Sequence, residues 1–212
     1  MARGKFITLE GGEGAGKSTQ VPLLAEALRR AGLTVHTTRE PGGSPGAEEI
    51  RKLLVTGETR RWDAMSEALL HFAARHDHVE KVIRPKLEAG TWVLCDRFAD
   101  STMAYQGYAQ GLGRAAVESL YALTLGDFAP DLTLILDLPV ELGLKRAAAR
   151  NAGEDRYERL GTDFHQTLRD AFQEIAAREP VRCLVIDAAG SADTVQAAIR
   201  AALAARLGIT LS

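Results

Sequence analysis

Cysteine is nearly absent from the chain. Its 212 residues include two, Cys95 and Cys183, far apart and each inside an apolar run. That excludes a disulfide scaffold and predicts two reduced thiols carried on strands. An excess of one charge is missing too: 26 Lys and Arg stand against 28 Asp and Glu, a formal net charge of -2. A general nucleic-acid coat is excluded, though a local basic pocket is not. No apolar run is long enough to span a bilayer. The opening MARGKFITLE carries no signal-like apolar stretch. The expectation is a soluble, cytoplasmic protein with neither nucleic acid nor membrane as partner. Repeats, linkers and low-complexity tails are also lacking, so residues 1–212 read as one domain.

What is present is a strict alternation. KFITLE, LTVHTTRE, TWVLCD, DLTLILDLP and VRCLVID read as strands. Between them lie helical patterns at 17–31, 44–56, 63–89 with Pro85 as a kink or break, 101–106, 114–128, 140–150 and 162–178, and a last one at 192–207 closes the chain. Repeated strand–helix alternation predicts an α/β fold, a parallel sheet with helices on both faces.

At the first strand–helix junction stands LEGGEGAGKSTQ. Gly11-x-x-x-x-Gly16-Lys17-Ser18 fits the phosphate-binding loop. Glycines let consecutive N–H groups curl around one anion, and the helix behind adds its positive end. Lys17 supplies a point charge for the β/γ-phosphates, and the Ser18 hydroxyl suits Mg2+. The donor site therefore spans Gly11, Gly12, Glu13, Gly14, Ala15, Gly16, Lys17, Ser18 and Thr19. No N-K-x-D guanine signature follows, which argues against a GTP switch. The chain also has no room for transporter partner domains.

A second set of anion-binding residues lies outside this loop: TREPGG with Arg39, then Arg51, Arg75 and Arg97. Guanidinium forks near strand ends suit a second phosphate. Asp96 closes a buried strand, where a carboxylate can hold Mg2+ through water. His76-Asp77-His78 reads as solvated helix surface rather than a metal site, since successive helical residues diverge.

These motifs resemble the thymidylate kinases of the bacterial type, within the nucleoside monophosphate kinase group. EGGEGAGKST, TREPGG, AEEIRKLL, CDRFADSTMAYQG, LGDFAPDLTLILD and EDRYE carry the resemblance over nearly the whole chain. It implies a three-layer P-loop fold with a five-stranded parallel sheet, ATP and Mg2+, dTMP as acceptor, a homodimer, and a mobile lid around residues 150–160.

Roles follow position by position. The resemblance implies that Glu13 accepts the sugar 3′-OH and that Arg97 holds the acceptor phosphate, with Arg39 and Arg51 as weaker candidates. Glu40 and Pro41 would line the pocket. Arg75 would reach thymine O4, Thr102 the base edge, and Tyr105 would crowd the 2′ carbon. Ser101 and Gln106 belong to the same motif and the same site. Arg146 would pack on adenine. Because Gly14 and Ala15 leave the phosphate loop without an arginine, lid arginines would reach the phosphates, with Arg150 and Arg156 as candidates. Arg51 and Arg75 could instead be surface arginines, Tyr105 core, and the lid pair an exposed loop. In LLHFAARHD, His71 stands where relatives place a base-stacking phenylalanine. Either His71 stacks and Phe72 packs in the core, the favoured reading, or Phe72 takes over.

Overall fold

The five apolar runs all become strands: β1 (Phe6–Glu10), β2 (Val35–Arg39), β3 (Trp92–Asp96), β4 (Leu132–Asp137) and β5 (Cys183–Asp187). The computed structural model describes residues 2–59, 61–149, 156–157 and 159–211. The strands form one sheet in the order β2-β3-β1-β4-β5, and every neighbouring pair is parallel. Strand β1 is buried throughout and β4 as far as Leu136, whereas the edge strands β2 and β5 are partly exposed. That is the gradient expected when helices cover both faces.

Side-chain alternation assigns the faces. Ile7, Leu9, Leu94, Leu134 and Leu136 pack with Leu24, Leu28, Ile199 and Leu203. These come from α1 (Lys17–Arg30) and from the last helix of the chain, over 192–207. On the other face, Phe6, Val93 and Cys95 meet Phe72, Ile83 and Phe98. Ile135 meets Leu168, Phe172 and Ile175 there. Both cysteines are buried and free.

Short-range chemistry places the helix starts. Ser44 caps α2 (Pro45–Val55), its side chain accepting from Ala47 N, and Pro45 stands in the first turn. Asp63 caps α3 (Ala64–His78) by accepting from Met65 N and Ser66 N. The helix expected over 63–89 is broken into parts. α3 passes into a π-helical turn at Val79–Ile83 and then α4 (Arg84–Glu88), with Pro85 in its first turn. Pro85 has no N–H and its ring crowds the preceding turn, so the wider π turn replaces a regular one. α5 (Ala99–Thr102) likewise runs into a π turn at Met103–Ala109. α6 (Arg114–Leu125) stops at Gly126, φ 58, short of the expected Phe128. α7 (Val140–Ala148), α8 (Thr162–Arg178) and α9 (Ala192–Leu207) complete the layers. Among the described residues, no helix is long and apolar enough to cross a membrane.

The topology puts β1 between β3 and β4. The loops after β1, β2 and β3 therefore gather at one edge of the sheet, the carboxyl ends of the strands. Open α/β sheets bind ligands there.

Candidate active site

The loop after β1 is built for an anion. Gly11 has φ 129, and a Cβ there would lie 2.4 Å from Leu136 O. Gly14 has φ 68, and a Cβ there would meet Gly143 O at 2.0 Å. Only glycine lets the loop close onto β4 and α7 at these points. Lys17 Nζ donates to Gly11 O and Gly12 O, both at 2.9 Å, which folds the side chain back over the loop. Burial, with the Arg97 charge nearby, pulls its ammonium down to about 8. Ser18 and Thr19 begin α1 on the exposed side.

Beside the loop, a cleft runs along Gly14, Ala15, Gly16, Thr19 and Arg146. Arg146 Nη1 and Nη2 donate to Ala188 O and Ala189 O, which sets the guanidinium flat against the turn after β5. Gln20 and the Gly190–Ala192 turn also wall this cleft. Motif reasoning missed them, because a loop before a capped helix carries no signature of its own.

A second cavity opens on the other side of the loop. It is lined by Glu13, Arg39, Glu40, Pro41, Arg51, His71, Asp96, Arg97, Ser101, Thr102, Tyr105 and Gln106, all singled out in the sequence. Val55 and Tyr157 join them and were not anticipated. Arg97 sits at φ 67, the one positive φ of a non-glycine among the described residues. This backbone turn carries its guanidinium back over the phosphate loop. Nη1 donates to Gly11 O (3.0 Å) and Ser101 Oγ (3.1 Å), and Nη2 to Glu13 Oε1 (3.0 Å). Tyr105 OH also donates to Glu13 Oε1, at 2.6 Å. Burial alone would raise the Glu13 carboxyl. The charges of Arg97 and Lys17 and the Tyr105 hydroxyl outweigh it and bring it to about 2.

The base of the turn after β3 is held by a residue that opens the EGGEGAGKST motif but was given no role in the sequence. Buried Glu10 accepts Phe98 N (2.7 Å) on one oxygen and Ser101 Oγ (2.6 Å) on the other. Arg39 is more loosely placed, donating to Glu48 at 3.2 Å. Arg51 Nη1 donates to Pro41 O at 2.6 Å.

Arg75 is not a surface residue: it is 2% exposed, and it stands behind the cavity wall. Its Nε donates to Glu40 Oε2 (2.7 Å), and Nη2 donates to Phe98 O and Thr102 Oγ1. Nη1 has no hydrogen-bond partner among the described residues, and neither does Oε1 of Gln106, which is 1% exposed. A buried donor and a buried acceptor beside the cavity are thus left without a protein partner among the described residues. His71 faces the cavity, whereas Phe72 is 1% exposed in the core, edge-on to Tyr121.

Two expectations need correction. Arg156 does not reach toward the phosphate loop. Its guanidinium is buried, donating to Leu54 O, Glu58 O and Thr59 O and to Glu67 Oε2 (2.6 Å). Four bonds in a buried setting hold it as a brace between α2 and α3. The expected partner Arg150 and most of the lid segment lie outside the described residues. His78, expected on the surface, is fully buried between Thr38 Oγ1 (2.8 Å) and Glu40 Oε1 (3.0 Å). With Cys95 these residues form a compact Glu–His–Cys group. Both imidazole nitrogens are engaged, Glu40 pairs with Arg75, and burial pushes the Cys95 thiol well up, so the group is a packing network.

Comparison with known proteins gives the family. The family model for thymidylate kinase matches residues 9–199. A thymidylate kinase of Caulobacter vibrioides is 56% identical over 209 residues, covering 99% of this chain and 100% of that protein. One of Nitrobacter hamburgensis is 54% identical over 209 residues, covering 98% of this chain and 91% of that protein. Among solved structures, the crystal structure of thymidylate kinase from Ehrlichia chaffeensis matches with a TM-score of 0.78 at 35% identity, covering 95% of this chain and 99% of that one.

Proposed function

The chain belongs to the thymidylate kinase family, and on that premise we propose how its residues transfer the γ-phosphoryl group of ATP to dTMP, giving dTDP and ADP. The cleft beside Arg146 takes adenine, and the phosphate loop with Lys17 takes the triphosphate. The cavity on the far side takes dTMP. One observation carries the acceptor assignment. The orphaned Arg75 Nη1 donor and Gln106 Oε1 acceptor are complementary to the carbonyl and the N–H of a pyrimidine imide edge. Arg97, bridging the loop and the cavity, suits the acceptor phosphate, with Arg39 and Arg51 at the rim. Glu13, ionised and fixed by Arg97 and Tyr105, suits the sugar 3′-OH.

No general base is needed. A phosphate monoester is largely dianionic at neutral pH, with a second pKa of about 6. The residues need only bring two anions into line and absorb charge. The charges of Lys17 and Arg97 both act at Glu13 and suit that purpose.

Magnesium fits the oxygen-only set offered by Ser18 at the start of α1 and Asp96 at the end of β3. Such hard donors suit it. Bound there, it would neutralise phosphate charge, with Ser18 as direct ligand and Asp96 acting through water. The segment around 150–160 serves as lid, with Tyr157 over the cavity. Leu53, Met65, Leu69 and Leu123 are exposed on α2, α3 and α6, apolar side chains that a homodimer would cover. Two free thiols suit a reducing, cytoplasmic setting.

The competing reading is a nucleotide sensor without turnover. ADP release with ATP plus dTMP, dUMP, dCMP or thymidine separates the two. ADP should appear only with acceptor and fastest with dTMP. ADP at the same low rate with and without dTMP would reject the transfer.

A further inference from the structure

Glu67 lines neither the cleft nor the cavity described above, yet four donors converge on it. Its Oε1 accepts from Gln106 Nε2 (2.7 Å), Gln110 Nε2 (2.9 Å) and Tyr157 OH (2.8 Å). Its Oε2 accepts from Arg156 Nη2 (2.6 Å), and the side chain is 0% exposed. A guanidinium can only donate, so the carboxylate faces donors on both oxygens. This polarity matters for Gln106, whose amide oxygen and nitrogen are nearly the same size. A turned amide would set oxygen against the carboxylate and leave a buried NH2 on the cavity side. Glu67 therefore holds Gln106 with Nε2 on the carboxylate and Oε1 turned away from it, in a side chain that lines the cavity. That Oε1 is the buried acceptor without a partner among the described residues.

We propose that Glu67 is a positioning residue that determines base specificity. By locking the Gln106 amide, it makes the cavity accept a base edge that donates N–H, the imide of thymine or uracil. The corresponding ring nitrogen of cytosine accepts, and would meet Oε1 with no proton between them. A site built to bond one edge rejects its mismatch strongly, because the buried polar group is then left unpaired. The inference rests on reading the cavity as the dTMP site.

The test compares kcat/KM, and Kd by calorimetry, for dTMP and dCMP in the parent, Glu67→Gln and Gln106→Met. A glutamine at position 67 can donate as well as accept, which frees the Gln106 amide to turn. The dTMP-to-dCMP ratio should then fall on the order of 10-fold or more, with dTMP losing most. Gln106→Met should lower it similarly. A merely structural Glu67 would depress both acceptors by one factor, and an unchanged ratio in Glu67→Gln overturns the proposal. Should that variant not fold, Glu67→Gln with Arg156→Gln leaves no unpaired buried charge and decides by the same ratio. A parent that converts dTMP but shows no preference over dCMP overturns this inference alone. A parent inactive on dTMP overturns the dTMP reading itself, and this inference with it.

Discussion

The Tyr157 hydroxyl lies 3.2 Å from His71 Nε2, and its single proton is already given to Glu67 Oε1 at 2.8 Å. His71 must then be the donor, so its ring carries hydrogen on Nε2 and leaves Nδ1 bare. Burial, followed by the charges of Arg75, Arg156, Arg97 and Arg51, brings this imidazole down from 6.5 to about 3. A neutral flat ring at the cavity wall can stack on a base without adding charge.

This has a pH consequence. Below about 6.5 the unfolded chain protonates His71, while the folded protein keeps it neutral down to about 3. The unfolded state binds more protons in that window, so stability falls as pH drops through it. His71→Phe should lose less stability between pH 7 and pH 4.5 than the parent, by denaturant melts. Nitrogen NMR should show the Nε2–H tautomer at pH 5. An imidazolium signal at that pH would falsify the assignment.

His71 and Phe72 should separate function from folding. His71→Ala should raise KM for dTMP with little change in melting temperature. Phe72→Ala should cost about 3–5 kcal/mol of stability, as large core truncations do. The reverse pattern would mean that Phe72 holds the base.

Lys17→Ala should slow turnover roughly 10²–10³-fold, the usual cost of one transition-state contact. Its pH behaviour is a second check. With the ammonium at about 8 in the free protein, raising pH through that value empties the charge before ATP arrives. KM for ATP should climb above pH 8, and a coupled ADP assay measures both effects.

Arg156→Ala should act chiefly on stability. Removing it leaves Glu67 buried and unpaired and strips the carbonyls of Leu54, Glu58 and Thr59. Losing one partner of a buried pair costs about 3–5 kcal/mol. Thermal unfolding should show a large drop, and an unchanged melting temperature with collapsed turnover would restore the catalytic role.

Arg97 offers a backbone test. A left-handed conformation costs an L-residue roughly 1–2 kcal/mol, and glycine nothing comparable. Arg97→Gly and Arg97→Ala should both be nearly inactive, with the glycine variant about 1 kcal/mol the more stable. Equal stabilities in chemical denaturation would show that the turn carries no strain.

The sheet was legible because apolar runs of five or six residues, each followed by a helical period, leave few other folds. The phosphate loop and the DRF turn were legible because their chemistry is local in sequence. Arg156 and His78 were not. Each looked like a charged residue in a polar stretch, and only tertiary partners 35 or more positions away, Glu67 and Glu40, bury them. Glu67 itself sat unremarked in the helix pattern, since four donors from two distant segments cannot be seen along the chain. The π turns escaped for a similar reason, because helical periodicity does not register one extra residue.

The close approach of Gly14 to Gly143 has a geometric meaning for the donor. α7 carries Arg146 at the cleft beside the phosphate loop and presses its backbone against that loop. The two ends of the donor site are therefore joined like the fixed jaws of a calliper. With adenine in that cleft as proposed, a nucleotide whose phosphate chain is one unit shorter or longer should bind less well than ATP, which a competition assay measures.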